Sequence, residues 1–219
     1  MTAALTPMSL AGSVVHDTRH ICAFFNDEDE EYRVLLPFIN EGLAAGDKAI
    51  HVVGADHSGD HLLRLVLSGI DAGGATERGQ LEMRSASDTY LRDGQFDIDR
   101  MLAVFERLAS GNGPHAFPRS RIVCRMDWAA GSRSLIDAVI EFESRVNALW
   151  RDHDDVVICT YRLDQFQGDA VIDILRTHPA VIIGGILQRN PFFIPPQQFL
   201  RDLRNRRAAE DTTRRDGAM

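Results

Sequence analysis

Short apolar runs alternate with helical stripes along most of this chain. The runs at residues 20–25, 48–53, 121–126 and 156–161 are each followed by apolar residues spaced three or four apart. Such alternation indicates right-handed β–α–β units, because parallel strands are joined by long crossovers that are usually helical. We therefore predict an α/β fold with a mostly parallel sheet and helices on both of its faces.

The C-terminal part departs from this alternation. Gly184-Gly185 separates two apolar runs, which favours an antiparallel edge hairpin or one strand bent at a bulge. Residues 190–196 contain prolines that remove backbone donors, so this segment cannot join the sheet. We expect it to fold back across a sheet edge or a pocket mouth and to bury both Phe192 and Phe193.

The 219 residues suit one domain with a substantial core. We expect a flexible N-terminus at 1–14, a single folded domain at 15–203 and a disordered charged tail at 204–219. The glycine-rich residues 71–79 are expected to form a turn.

Composition narrows the classes of function. The net charge of −8 and pI of about 5.4 argue against a nucleic-acid partner, and no apolar run approaches the ~20 residues of a membrane span. Three cysteines form no CxxC pair, and the first residues lack the basic start of a signal peptide. These features favour a reduced, cytoplasmic setting.

The turn after the first long strand is acidic. Nucleotide-binding α/β proteins place a phosphate loop with glycines and a lysine at such a strand–turn–helix junction. Here the junction holds five consecutive acids, Asp27 to Glu31. Carboxylates suit the positive end of a helix but repel phosphate, so we predict that the chain does not bind ATP or GTP.

Several polar residues are candidates for a site, and each has more than one reading. Asp127 follows an apolar strand, where it could cap the next helix or contact a ligand at the carboxyl edge of the sheet. Glu143 and Asn147 lie on a half-buried helix face, where the acid could pair with an arginine or anchor a pocket.

The roles of the cysteines and histidines also have more than one interpretation. Cys22, Cys124 and Cys159 lie in strand runs and are typical core residues, but with His20 and His178 they could form a soft-metal or thiol-reactive site. His178, before Pro179, could meet the last carbonyls of a helix. A second group, His51, His57 and His61, is expected at the solvated surface.

Several segments together resemble the MEDS domain, the methanogen/methylotroph DcmR-type sensory domain. They span about residues 15–201, and the residues that carry the resemblance are His20-Ile21-Cys22-Ala23-Phe24-Phe25, Phe38-Ile39-Asn40-Glu41-Gly42-Leu43 with Gly46-Asp47-Lys48, Met126-Asp127-Trp128-Ala129, Glu143 with Asn147, Ile158-Cys159-Thr160-Tyr161, His178-Pro179 and Asn190-Pro191-Phe192-Phe193.

The resemblance implies a RecA/KaiC-like fold that has lost its phosphate loop, which agrees with the acidic turn. It implies a sensory role, since family members are proposed to sense simple hydrocarbon derivatives and many are fused to histidine kinases or DNA-binding domains. This chain carries no kinase, ATPase or helix-turn-helix segment, so any output would pass through a separate partner. The site positions implied by the resemblance are His20, Cys22, Glu143, Cys159, His178 and Asn190.

We therefore expect a non-enzymatic cytoplasmic sensory domain without a cofactor. It would bind a small, weakly polar ligand at the carboxyl edge of the sheet and signal through a kinase, anti-sigma factor or regulator, with homodimerisation also open. His20, Glu143 and His178 would be polar anchors. The full set of candidate ligand-binding residues is His20, Cys22, Phe24, Phe25, Asp127, Trp128, Glu143, Asn147, Cys159, Tyr161, His178 and Asn190.

Two other functions remain open from the sequence. A degenerate ATPase scaffold without a ligand could act as a protein-interaction module in an anti-sigma or histidine-kinase switch, and it would have a filled interior with an exposed apolar patch. A metal- or thiol-dependent enzyme would instead hold a metal at His20, Cys22 or Cys159.

Overall fold

The computed structural model describes residues 7–15, 18–54, 57–91, 94–109, 117–150 and 153–216. Its strands are β1 (Met8–Leu10), β2 (Ser13–Val15), β3 (His20–Phe25), β4 (Lys48–Val53), β5 (Leu81–Ser85), β6 (Ser120–Arg125), β7 (Val156–Arg162), β8 (Ala180–Ile183) and β9 (Ile186–Arg189). Its α-helices are α1 (Glu28–Ala44), α2 (Ser58–Leu67), α3 (Ala72–Glu77), α4 (Ala86–Tyr90), α5 (Ile98–Ala109), α6 (Arg133–Trp150), α7 (Gly168–Thr177) and α8 (Pro196–Asp216).

A seven-stranded sheet in the order β5-β4-β6-β7-β3-β8-β9 forms the centre of the fold. All neighbouring strands run parallel except β9, which pairs antiparallel with β8. Gly184 and Gly185 form the turn between them with φ of 58° and 73°, a left-handed conformation that glycine adopts at little cost. The expected parallel α/β sheet with an antiparallel edge is confirmed.

Helices cover both faces of the sheet. On one face, which we call the α6 face, Cys22, Phe24 and Tyr161 pack beneath α5, α6, α7 and α8. On the other face, Ile21 and Phe25 pack against α1, α2, α3 and the β1–β2 hairpin. Successive strand residues point to opposite faces, so the identity of each strand residue decides which core it joins.

The five acids at the start of α1 all have partners. Asp27 caps α1, with its Oδ1 accepting from Glu30 N at 2.8 Å, and Glu30 Oε2 accepts from Asn26 N at 2.8 Å in return. Asp29 pairs with Arg64 at 2.7 Å. Glu28 and Glu31 both pair with Arg125 at the end of β6, each at 2.9 Å. This turn is therefore a salt-bridged helix start, built from carboxylates that would oppose a phosphate group.

Both expected disordered ends are wrong over the residues that the structure describes. At the N-terminal end, β1 and β2 form a hairpin because Met8, Leu10 and Val15 bury their side chains beside α1. At the C-terminal end, residues 204–216 belong to α8 and are not a disordered tail. Its charged composition hides two apolar anchors four residues apart, Phe199 and Leu203, which are buried on the α6 face.

Further contacts hold α8 against the domain. Arg206 pairs with Asp173 of α7, and Arg207 pairs with Glu141 of α6, both at 2.8 Å. These ion pairs add modestly to the anchoring by Phe199 and Leu203. Residues 1–6 and 217–219, which the expected termini also included, lie outside the described residues.

Residues 71–79 also differ from expectation. They contain the short helix α3 instead of a simple turn, because Asp71 caps the helix by accepting from Gly74 N at 2.9 Å and Ala72 and Ala75 are buried. In the described part of the chain, no helix is both long and apolar enough to cross a membrane.

Residues 190–196 fold back onto the C-terminal end of α7. Ile194 N donates to Arg176 O at 2.9 Å, and Asn190 N donates to Pro179 O at 3.0 Å. The expected burial of both phenylalanines is wrong, because Phe192 is 59% exposed. The segment is therefore fixed mainly by backbone hydrogen bonds and by Asn190.

Candidate functional site

A buried polar cluster lies between the sheet and α6. We define it by His20 on β3, Cys159 and Tyr161 on β7, Glu143 on α6 and His178 between α7 and β8. His20, Cys159 and Tyr161 reach the same face because their positions share the two-residue period of paired parallel strands. Glu143 meets them because α6 packs across that face, and all five side chains are at most 2% exposed.

Glu143 is the centre of the cluster. Its Oε1 accepts a hydrogen bond from Tyr161 OH at 2.8 Å. Its Oε2 lies 3.0 Å from His20 Nε2, 3.5 Å from His178 Nε2 and 3.6 Å from Cys159 Sγ. The alternative in which Glu143 pairs with an arginine is thus wrong: histidines, a tyrosine and a thiol surround it. A buried carboxylate requires such partners, because its desolvation costs several kcal/mol.

The outer atoms of both imidazoles are held by oxygen acceptors. Asn147 Nδ2 donates to Thr177 O at 2.7 Å, which turns Asn147 Oδ1 towards His20 Nδ1 at 3.1 Å. His178 Nδ1 lies 2.8 Å from Ile174 O, so the expected contact of this histidine with the last carbonyls of a helix is confirmed. Each Nδ1 therefore carries a proton, and each Nε2 faces Glu143 Oε2.

Burial and hydrogen bonding set the charges in the cluster. Burial alone would raise the pKa of Glu143, but its hydrogen bonds to His178 and His20 outweigh burial and lower that pKa well below the usual range. Burial lowers the pKa of His20, with the neighbouring His178 adding to the effect. In His178 the contacts to Cys22 and Glu143 overcome burial and raise the pKa to about 10. The resting cluster is thus an imidazolium–carboxylate pair.

Other candidates support this cluster or lie apart from it. Cys22 Sγ donates to Ala180 O at 3.7 Å, and the Phe24 ring stacks on Tyr161 with centroids 5.7 Å apart. Asn190 Nδ2 donates to Leu175 O and to His178 O at 2.7 Å, which fixes the backbone next to the cluster. Phe25 faces the opposite side of the sheet and does not contribute.

A separate cleft lies at the carboxyl edge of the sheet, with a volume of about 390 Å³. It is lined by Glu28, Gly54, His57, Ala86, Arg125, Asp127, Trp128, Arg162 and Gln165. These residues follow or end β3, β4, β5, β6 and β7, which is where open α/β sheets bind ligands. We call this cavity the carboxyl-edge cleft.

Asp127 and Trp128 are the two sequence candidates in this cleft. Asp127 does not cap a helix: its Oδ1 accepts from Arg162 N at 2.9 Å and so ties β6 to the end of β7. Burial raises its pKa, against the opposing hydrogen bond from Arg162. The Trp128 indole stacks on Tyr90 with centroids 4.6 Å apart. One wall of the cleft is therefore aromatic and the others carry charge.

The candidate residues that the sequence assigned to a single pocket thus lie in two separate places. His20, Glu143 and His178 lie near the middle of the sheet and towards its amino edge, instead of at the carboxyl edge. A second cavity of about 360 Å³, the amino-edge cavity, reaches His20, Asn147 and Pro179 and is bordered by the 190–196 segment. Whether either cavity binds a ligand remains a prediction.

The sequence did not identify Arg125 as a residue of the cleft, and it did not identify the burial of His51 and His61. Arg125 lines the cleft while pairing with Glu28 and Glu31; its position at a strand end opposite an acidic turn could have indicated this. His51 and His61 are buried, with His51 Nδ1 2.8 Å from His61 Nε2, so their expected solvent exposure is wrong. The half-exposed His57 fits that expectation.

Comparisons with known proteins agree with this structure. The family model described as MEthanogen/methylotroph, DcmR Sensory domain (MEDS) matches residues 19–179. The chain therefore belongs to the MEDS domain family. No curated protein matches the chain significantly.

A solved structure shows the same fold. The chain is similar to the crystal structure of a KaiC-like protein from the hyperthermophilic archaeon Pyrococcus horikoshii, with a TM-score of 0.55 and 13% sequence identity. The match covers 78% of this chain and 73% of that protein. At this identity the likeness establishes a KaiC/RecA-like α/β fold and nothing about activity.

Proposed function

We propose that this chain is a non-enzymatic sensory domain that binds a small hydrocarbon derivative with a polar head in the carboxyl-edge cleft. Occupancy of the cleft is then passed to a separate partner protein. Membership of a sensory domain family supports the sensory part of this proposal. The ligand class and the partner are our inference from the cleft and its surroundings.

The observation that carries the proposal is the combination of one aromatic wall with charged groups in a cleft at strand carboxyl ends. Trp128 and Ala86 offer an apolar surface, while Arg125, Asp127 and Arg162 offer polar groups. The Trp128 indole N–H has no hydrogen-bond partner among the described residues, so a ligand acceptor could satisfy it. A volume of about 390 Å³ suits a small molecule.

The acidic turn before α1 also supports a ligand other than a nucleotide. Glu28 lines the cleft and neutralises Arg125, which would otherwise attract phosphate. A small molecule with a modest polar group would fit such a balanced set of charges better than a triphosphate.

A thermal-shift screen tests this proposal. Short alcohols, amines, carboxylic acids and haloalkanes are compared on the wild type, Trp128→Ala and the control Phe192→Ala, which removes an exposed aromatic ring away from the cleft. A ligand at 100 times its Kd should stabilise the wild type and the control by about 2.7 kcal/mol and should leave Trp128→Ala unaffected. Stabilisation that persists in Trp128→Ala would place the ligand elsewhere.

One observation favours the alternative of a ligand-free interaction module. Leu63, Val66 and Leu67 on α2 are 53%, 53% and 77% exposed and lie on one side of the helix. An exposed apolar surface of this kind is typical of protein contacts. If no compound in the screen stabilises the protein while Leu67→Lys abolishes signalling in cells, the interaction module is the better account.

A further inference from the structure

Four donor atoms converge in the buried polar cluster. His20 Nε2, His178 Nε2, one Glu143 carboxylate oxygen and Cys159 Sγ all lie within 4.8 Å of one another. The distances of these atoms from Glu143 Oε2 are 3.0–3.6 Å, and Cys159 Sγ lies 3.9 Å from His20 Nε2. Ligand atoms of a tetrahedral zinc ion are separated by about 3.3–3.6 Å, from the bond lengths of ~2.0–2.3 Å. Four of the six separations are thus within about 0.3 Å of this range, and the other two do not exceed 4.8 Å.

The atoms behind these donors are arranged as a second shell. Asn147 Oδ1 holds His20 Nδ1, Ile174 O holds His178 Nδ1, and Tyr161 OH holds Glu143 Oε1. These contacts leave the Nε2 atoms and Oε2 directed at one point. Outer hydrogen bonds of this type fix the tautomer of a metal-bound histidine and the orientation of a metal-bound carboxylate.

Hydrogen bonds do not satisfy all of the inner atoms. His178 Nε2 is buried and, among the described residues, has no partner with hydrogen-bond geometry; its nearest acid oxygen is 3.5 Å away. With both Nδ1 atoms protonated, the two Nε2 atoms and a carboxylate oxygen face one another, and without a metal the second proton of His178 lies among them. Acceptors that meet in a dry interior need a cation between them.

We propose that His20, Glu143, Cys159 and His178 form a four-coordinate binding site for a divalent transition metal, with zinc as the best match. Two imidazoles, a thiolate and a carboxylate suit zinc by softness and by geometry. Four protein donors complete the tetrahedron, so the site is of the closed, structural type. It is independent of the ligand proposed for the carboxyl-edge cleft.

Charge balance is compatible with this assignment. One Zn²⁺ would replace two protons, the thiol proton of Cys159 and the proton that His178 shares with Glu143. The site then holds two negative ligands and two positive charges, and it remains neutral in a water-free interior. The amino-edge cavity, which His20 and Asn147 line, supplies an entry path.

Bound metal would join four parts of the fold. His20 lies on β3, Cys159 on β7, Glu143 on α6 and His178 at the junction of α7 and β8. A metal ion would therefore clamp α6 and α7 onto the centre of the sheet, and its loss would loosen them together.

Cobalt(II) titration of the metal-free full-length protein tests the site, because thiolate ligation gives a near-ultraviolet charge-transfer band and tetrahedral geometry gives intense visible bands. We expect about one equivalent of Co²⁺, displaced by Zn²⁺, with both signals. Co²⁺ uptake without the thiolate band, or no tight uptake, would overturn the assignment. This readout needs no variant.

Matched cysteine variants locate the metal. Cys159→Ala and Cys124→Ala each remove one buried thiol from adjacent strand positions in register, but only Cys159 belongs to the proposed site. The charge-transfer band should vanish in Cys159→Ala and persist in Cys124→Ala, and Tyr161→Phe should weaken zinc affinity about 10–100-fold. A band that survives in Cys159→Ala would contradict the site.

Discussion

The Tyr161 hydroxyl donates a 2.8 Å hydrogen bond to Glu143 Oε1 and thereby connects the carboxyl end of β7 to the middle of α6. This contact orients the carboxylate so that its other oxygen faces both histidines. Because the pair is buried, Tyr161 keeps its proton: burial first and then the Glu143 charge raise its pKa. The pair therefore anchors α6 to the sheet as well as organising the cluster.

Removing the Glu143 carboxylate should destabilise the protein strongly. Glu143→Ala leaves His20, His178 and Tyr161 without their shared partner in a dry interior, so we expect a loss of about 3–5 kcal/mol in urea unfolding. Glu141→Ala is the control on the same helix, since it breaks only a partly exposed ion pair with Arg207 and should cost less than about 1 kcal/mol. Equal losses would contradict the central role of Glu143.

The buried pair His51 and His61 predicts a specific acid sensitivity. Burial lowers the pKa of His51 to about 3 and that of His61 to about 4, so both are neutral in the fold at neutral pH. The unfolded chain takes up protons at a pKa near 6.5, so stability is present above that pH and is lost as pH falls towards 4 and then 3.

The measurement is the slope of unfolding free energy against pH in the wild type and in His61→Gln. Glutamine can still bond to Tyr32 and His51 but does not titrate. Between pH 5 and 6 the slope should fall by about 1.4 kcal/mol per pH unit in the variant. An unchanged slope would show that His61 titrates normally in the fold.

Docking of α8 can be tested with Phe199, which lies in the helix, and Phe192, which precedes it. Phe199 is 1% exposed and Phe192 is 59% exposed. Phe199→Ala should cost about 3–5 kcal/mol, and Phe192→Ala should change stability by no more than about 0.5 kcal/mol. Similar melting temperatures for the two variants would refute the packing of α8 on the α6 face.

Nucleotide binding should be absent. Glu28 and Glu31 compensate Arg125, and Asp27 and Glu30 satisfy donors at the start of α1, so the junction between β3 and α1 offers phosphate no positive loop. Calorimetry with ATP and magnesium should show no binding. Micromolar affinity that is lost on mutation of Asp127 would be contrary evidence.

The sequence predicts the sheet well because most of its strands are short, largely apolar runs bounded by turns. The apolar runs in the sequence give the bounds of β3, β4 and β8. The parallel direction of the strands follows from the helical crossovers between them. Helix α8 was missed because Phe199 and Leu203 are sparse anchors within a charged segment. These two side chains stabilise the helix because they pack against α6 and α7. The sequence alone does not show that contact.

The site was predicted in part for a similar reason. The strand period could place His20 with Cys22 and Phe24 on one face, but it could not show that α6 brings Glu143 onto the middle of that face instead of the carboxyl edge. The buried His51–His61 pair was missed because the sequence around a histidine does not identify its partner. The way the helices pack on the sheet decides which distant side chains meet.

The most direct test of the sensory proposal uses the fluorescence of Trp128. The chain has two tryptophans, so Trp150→Phe leaves Trp128 as the reporter in the carboxyl-edge cleft. Titration with the best compound of the thermal-shift screen should give a saturable change in emission, with a midpoint that matches the concentration dependence of stabilisation. A compound that stabilises the protein without any change in Trp128 emission would contradict binding in this cleft.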